Sequence, residues 1–192
     1  QIHRGFRKPL VLMTPKSLLR HKRCVSPLFE FGPGSSFHRV LWDDADMKVR
    51  EGREDVATGR TEIKLAADSK IRRVVLCSGK VYYDLLEERE RRGLDDVYLL
   101  RVEQFYPFPA KSVIDEIKRF KKADIVWCQE EPRNMGAWTF VEPYIEFCLG
   151  KAGSKVSRPA YAGRSPSAST ATGLLSKHQA QQKALIDEAL GR

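Results

Sequence analysis

Three short apolar runs alternate with amphipathic segments after Lys70, and this alternation constrains the fold more than any other feature of the sequence. Val74-Val75-Leu76-Cys77 is continuously apolar, the pattern of a strand buried on both faces. Ser78-Gly79 turns the chain. Val81 to Arg92 then sets Tyr82, Leu85, Leu86 and Arg89 at three-to-four spacing, which predicts a helix ending at Gly93. Asp96 to Val102 repeats the strand. After the proline-stiffened loop Phe105-Tyr106-Pro107-Phe108-Pro109, Ala110 to Lys122 repeats the helix, with Val113, Ile114, Ile117 and Phe120 on one face. Ala123 to Cys128 predicts a third strand and Trp138 to Leu149 a helix. A strand over Lys155 to Tyr161, a hydroxyl-rich connection from Ser165 to Thr172 and a helix from Gly173 or Leu174 to Leu190 complete the pattern. Right-handed crossovers between such units give an α/β fold of three layers: a mostly parallel sheet with helices on both faces.

The first third of the chain reads differently. Pro9 to Thr14 has the pattern of a buried strand stopped by Pro15. Val25 to Ser69 sustains no period. Pro27, Gly32-Pro33-Gly34 and the charged stretch Asp43 to Glu54 break it into a long excursion with short strands and an insertion around Met47 to Arg60. Residues 1–69 are therefore expected to be a basic lead-in, and residues 70–192 the α/β domain. The first residue is Gln1, and neither a signal-peptide core nor a membrane-spanning run is present in the sequence. The expectation is a soluble piece of a longer protein, in a reducing, cytoplasmic setting.

Of the 192 residues, 42% are hydrophobic and 31% charged, enough for a packed core. The formal net charge of +9 invites a nucleic-acid reading. Much of the excess, however, lies in Arg4, Arg7, Lys8, Lys16, Arg20, Lys22 and Arg23, without the interleaved aromatics that stack on bases. A solvated or subunit-facing surface accounts for it better. Cys24, Cys77, Cys128 and Cys148 lack metal-ligand spacing, and Cys77 and Cys128 end apolar runs as small buried hydrophobes. His3, His21, His38 and His178 are isolated, with no metal-binding spacing.

Candidate chemistry gathers where strands end. Leu76-Cys77-Ser78-Gly79-Lys80 fails as a phosphate loop because Val81, not Ser or Thr, follows Lys80. What remains is either an anion site on the Ser78 and Gly79 amides or an ordinary strand-to-helix turn. Glu130 and Glu131 follow the third strand. Adjacent side chains diverge, so a partner among basic residues or backbone amides is expected rather than an acid–base pair. Arg164, in Tyr161-Ala162-Gly163-Arg164-Ser165-Pro166-Ser167, either joins hydroxyls in holding a phosphate or carboxylate or leads into the last helix. No complete catalytic constellation is present.

Five segments, in order, carry a family likeness: Arg7 to His21 (RKPLVLMTPKSLLRH), Arg72 to Leu85 (RRVVLCSGKVYYDL), Val102 to Pro109 (VEQFYPFP), Val126 to Trp138 (VWCQEEPRNMGAW) and Tyr161 to Gln182 (YAGRSPSASTATGLLSKHQAQQ). Together they resemble the C-terminal part of the decarboxylating component of 2-oxoglutarate dehydrogenases; Phe37 to Ser69 matches less closely. The resemblance implies a transketolase-like C-terminal domain, often with one antiparallel strand. It implies an enzyme that decarboxylates 2-oxoglutarate on thiamine diphosphate and magnesium and passes the succinyl unit to a lipoyl-bearing succinyltransferase in the tricarboxylic acid cycle. Cofactor and catalytic histidines would belong to other domains of a homodimer, so this chain alone is expected to be inactive and to serve assembly. An alternative is a free-standing anion- or nucleotide-binding regulatory module of the same fold. Some relatives are regulated here by nucleotides or acyl-coenzyme A, which makes Arg20, Lys80, Arg101 and Arg164 candidates for an anionic effector. No nucleic acid and no membrane is expected as a partner.

Overall fold

A computed structural model describes residues 3–50, 61 and 63–191. The strands are β1 (Val40–Leu41), β2 (Arg73–Cys77), β3 (Val97–Val102), β4 (Asp124–Pro132) and β5 (Ala160–Arg164). The helices are α1 (Asp44–Arg50), α2 (Val81–Arg92), α3 (Ala110–Ile117), α4 (Trp138–Ala152) and α5 (Leu175–Leu190). The strands form one sheet in the order β1-β3-β2-β4-β5. Only β1 runs antiparallel to its neighbour.

β2 lies at the centre because its apolar run has no polar side. Val74 and Leu76 pack towards α3 and α4, while Val75 and Cys77 pack towards α2 and α5. Strand periodicity divides one continuous run between two cores. In register, Val75 sits between Leu99 and Val126, and Cys77 beside Cys128. Burial pushes the Cys77 thiol up to about 12, and Cys128 is raised in the same way. Both are free and buried, as the sequence suggests, and neither is a nucleophile at neutral pH.

α2 spans the expected residues and ends as expected. Gly93 adopts φ 64°, and the Leu94 amide donates to the Arg89 carbonyl across 3.1 Å. Only a residue without Cβ enters this left-handed position cheaply. α3 stops at Ile117 rather than Lys122 and tightens into a 3-10 turn, Lys118–Phe120. That turn sets Phe120 against Tyr98, with ring centroids 4.7 Å apart. The late strand occupies Ala160–Arg164 instead of Lys155 to Tyr161, where it pairs with β4.

The expected strand from Pro9 to Thr14 does not form. Leu10, Val11, Leu12 and Met13 are 70%, 78%, 71% and 93% exposed and pair with no strand of the sheet. A residue's fit to a pleated surface does not supply the neighbouring edge that a strand requires. Within the excursion the one strand among the described residues is β1, and most of the expected insertion, residues 51–60, lies outside the described residues.

Asp43 joins the excursion to the sheet. Its carboxylate caps α1 by accepting the Ala45 amide at 3.0 Å, and it accepts the Leu99 amide of β3 at 2.8 Å. It also receives Arg89 of α2, whose guanidinium donates onward to the Val97 carbonyl at 3.1 Å. Both side chains are fully buried. β1 pairs with only two residues of β3, and beyond them the carboxylate takes the place of a strand. Asp43→Ala should therefore cost about 3–5 kcal/mol in urea unfolding, because Arg89 is left buried without a counter-charge. Adding Arg89→Met should recover part of that loss. Additive losses would show that the pair is not coupled.

A second clamp holds α2 to α5. Glu88 receives Arg91 and Arg92, and Arg92 also reaches Asp187 of α5. The hydrogen bond from Arg91 leads in lowering the Glu88 carboxyl from 4.5 to about 2; burial opposes it and Arg92 adds to it. A carboxyl depressed by folding stabilises above its unfolded pKa, and the contribution fades as pH falls towards the folded one. Glu88→Gln should cost about 1 kcal/mol near neutral pH after solvent screening, and progressively less between pH 4.5 and 2. Urea midpoints of the two proteins across that range measure the convergence.

Candidate functional site

The parallel strands finish at one edge, β2 at Cys77, β3 at Val102, β4 at Pro132 and β5 at Arg164. From β2 the chain crosses through α2 to β3 on one side, then through α3 to β4 on the other. The crevice between the ends of β2 and β4 is thus the topological switch point, where open α/β sheets receive ligands.

β4 runs four residues past the expected Cys128, so Gln129, Glu130 and Glu131 lie within the strand rather than after it. Strand alternation separates the two glutamates. Glu130 goes to the α2–α5 face, where Lys80 meets it at 2.7 Å and Asp84 at 3.2 Å. Burial alone would lower the Lys80 ammonium; the Glu130 hydrogen bond and charge, then Asp84, outweigh it and raise it. Gln182 of α5 donates to Asp84 at 2.7 Å and to Glu130 at 3.0 Å, and its carbonyl oxygen accepts Arg164 at 3.1 Å. Four elements meet in this network. Glu130 has the basic partner expected for it, within this chain.

On the opposite face Gln129 organises the turn into α4. Its oxygen accepts the indole N–H of Trp127 at 3.0 Å and the Trp138 amide at 2.9 Å. Its nitrogen lies 3.3, 3.2 and 2.8 Å from the Glu131, Pro132 and Met135 carbonyls. Gly136 closes the turn at φ 68°, where a Cβ would meet the Glu131 Cβ at 2.9 Å. Beside them a cavity of about 530 Å³ opens between Gly79, Phe105, Trp127 and Phe140. It is apolar in character.

The four basic candidates do not converge. Lys80 and Arg164 share the Gln182 network. Arg101 lies on β3, its guanidinium 4.0 Å from the Tyr82 ring centroid and 3.7 Å from Asp44. It borders a separate cavity of about 710 Å³ beneath the Arg23–Trp42 excursion. Arg20 is exposed in the 3-10 turn Lys16–Arg20. His21 lies tilted against Tyr83 with ring centroids 4.7 Å apart, and His178 meets Arg164 at 3.1 Å. Sequence reasoning singled out neither Gln182 nor Asp84 as a site residue. The signal available was that Asp84 follows Lys80 by one helical turn.

Among the described residues no three His, Cys, Asp or Glu side chains gather as a metal would require. The residues present therefore do not fit a magnesium ion. No helix among the described residues is long and apolar enough to cross a membrane.

A mostly parallel, doubly covered sheet with ion-paired side chains at its carboxyl edge defines a ligand-edge α/β domain. A family profile described as 2-oxoglutarate dehydrogenase C-terminal matches residues 25–190, and the chain belongs to that family. It is 62% identical over 191 residues to the 2-oxoglutarate dehydrogenase E1 component of Brucella anthropi, and 62% identical to that of Brucella ovis. The Brucella abortus protein of the same name is 61% identical. In each case all of this chain is covered, but only 18% of the relative.

Gln129→Leu should cost roughly 3 kcal/mol, since it strands buried N–H groups and carbonyls together. It should also shift the fluorescence of Trp127 and Trp138. Unchanged emission and stability would remove Gln129 from its organising role.

Proposed function

We propose that this chain is the C-terminal assembly domain of a 2-oxoglutarate dehydrogenase E1 component. The observation that carries the proposal is identity of 62% along the whole chain to relatives of that name. The complete enzyme would oxidatively decarboxylate 2-oxoglutarate in the tricarboxylic acid cycle and pass succinyl to the lipoyl-bearing succinyltransferase. Thiamine diphosphate and magnesium would be held by other domains, in a cytoplasmic homodimer. Residues 70–192 are read as the α/β domain, and residues 1–69 as its lead-in with an insertion around 47–60. Supporting this division, four of the five strands follow residue 70, and β1 is the lead-in's contribution to the sheet.

The assembly role is supported by apolar surface. Leu10, Val11, Leu12 and Met13 form a contiguous exposed run, and exposed patches of this kind mark interaction sites. Their partner is the remainder of the same enzyme. An effector role for Arg20, Lys80, Arg101 and Arg164 is part of the proposal. Its strongest support is at Arg164.

The test uses both lengths of protein. The complete polypeptide should turn over 2-oxoglutarate with thiamine diphosphate and magnesium, while the isolated chain should not. Leu10→Asp with Leu12→Asp should lower activity and dimer content of the complete enzyme while leaving the melting temperature of the isolated chain unchanged. Turnover by the chain alone, or none by the complete polypeptide, would overturn the assignment.

A further inference from the structure

Arg89 and Arg164 are the two buried arginines among the described residues, and they are treated differently by their surroundings. Arg89 faces the Asp43 carboxylate. Arg164, 9% exposed, pairs with no carboxylate among the described residues. Its terminal nitrogen lies 3.1 Å from both His178 Nδ1 and Gln182 Oε1, and its buried Nε, like that of Arg89, has no hydrogen-bond partner. A guanidinium withdrawn from water with no carboxylate beside it is stabilised by an acceptor of opposite charge.

The space beside Arg164 is built from donors. A cavity of about 280 Å³ is lined by Arg164, Ser165, Ser167, Ser169, Thr170 and Lys177. α5, 16 residues long, begins at the same place, and Leu174 at its N-cap provides no side-chain acceptor for the first-turn amides. Those amides and the helix dipole favour negative charge there. The loop is already shaped. Asn134 accepts the Ser167 amide and donates to the Ser167 carbonyl, each at 3.0 Å, and Thr172 donates to Gln181 at 2.6 Å.

We propose that this cavity is a phosphate-binding site, taking inorganic phosphate or the terminal group of a phosphomonoester. A doubly charged, tetrahedral anion accepts from guanidinium, hydroxyls and helix amides at once, which a planar carboxylate with two oxygens does less completely. The cavity is just below the roughly 300–1,000 Å³ of ordinary small-molecule pockets, a size for the phosphate end of a ligand. Through Gln182 the site is hydrogen-bonded to Glu130, and so to Lys80 at the switch point. The proposal stands on the cavity alone and is independent of the dehydrogenase assignment.

The 192-residue chain is titrated with inorganic phosphate and with phenyl phosphate at constant ionic strength, followed by melting temperature and by 31P line broadening. Saturable binding in the millimolar range is expected. Arg164→Gln should weaken it at least tenfold, and Lys177→Gln, a change at an exposed position, several-fold. Lys111→Gln, far from the loop, should leave it unchanged. Should Arg164→Gln fail to fold, Lys177→Gln and Ser167→Ala carry the same comparison. Tighter binding of the ester identifies a phosphomonoester as ligand, and equal binding identifies free phosphate. Either supports the site. A response no greater than that to chloride, or full-strength binding by both Arg164→Gln and Lys177→Gln, would overturn it.

Discussion

The buried contact between Asp43 and Arg89 is the constraint on which the rest of the structure depends. β3 has β2 on one side and only two paired residues of β1 on the other. The Asp43 carboxylate completes that side by accepting the Leu99 amide, while Arg89 brings α2 to the same point and satisfies the Val97 carbonyl. A bare edge strand invites pairing with other chains, and a carboxylate with an interior counter-charge closes it without a further strand. Two full charges out of water are costly, so each is tolerated only because the other is present and further hydrogen bonds are made.

The same rule holds at both edges of the sheet. Lys80 answers Glu130 and Asp84, Arg119 answers Asp46, Asp68 and Glu116, and Arg92 answers Glu88 and Asp187. These pairs tie helices to one another and, through Glu130, to β4. Arg164 departs from the rule, with His178 and Gln182 beside it and no carboxylate partner among the described residues, at a helix N-terminus lined by hydroxyls.

Much of the architecture was legible because it is local. The apolar run of β2, the spacing of α2 and the glycine at its end each follow from residues within one or two turns of each other. The extension of β4 through Gln129 and Glu130 was not legible, since it depends on β5 arriving beside it with a register shift after Cys128. Pro9 to Thr14 shows the converse: its composition promises a strand, and only a neighbouring edge could make it one.

By itself, then, the sequence determined the alternation of strands and helices, the burial of Cys77 and Cys128 and the likeness to a family, since all three are written in the order and spacing of residues. Tertiary structure alone decided that Lys80 and Arg164 share a network while Arg20 and Arg101 stand apart. It also decided that Arg164 is buried with no carboxylate partner among the described residues. Charges interact over a few ångströms, and residues separated by tens of positions acquire those distances only when the sheet has set its order and the helices have packed on it.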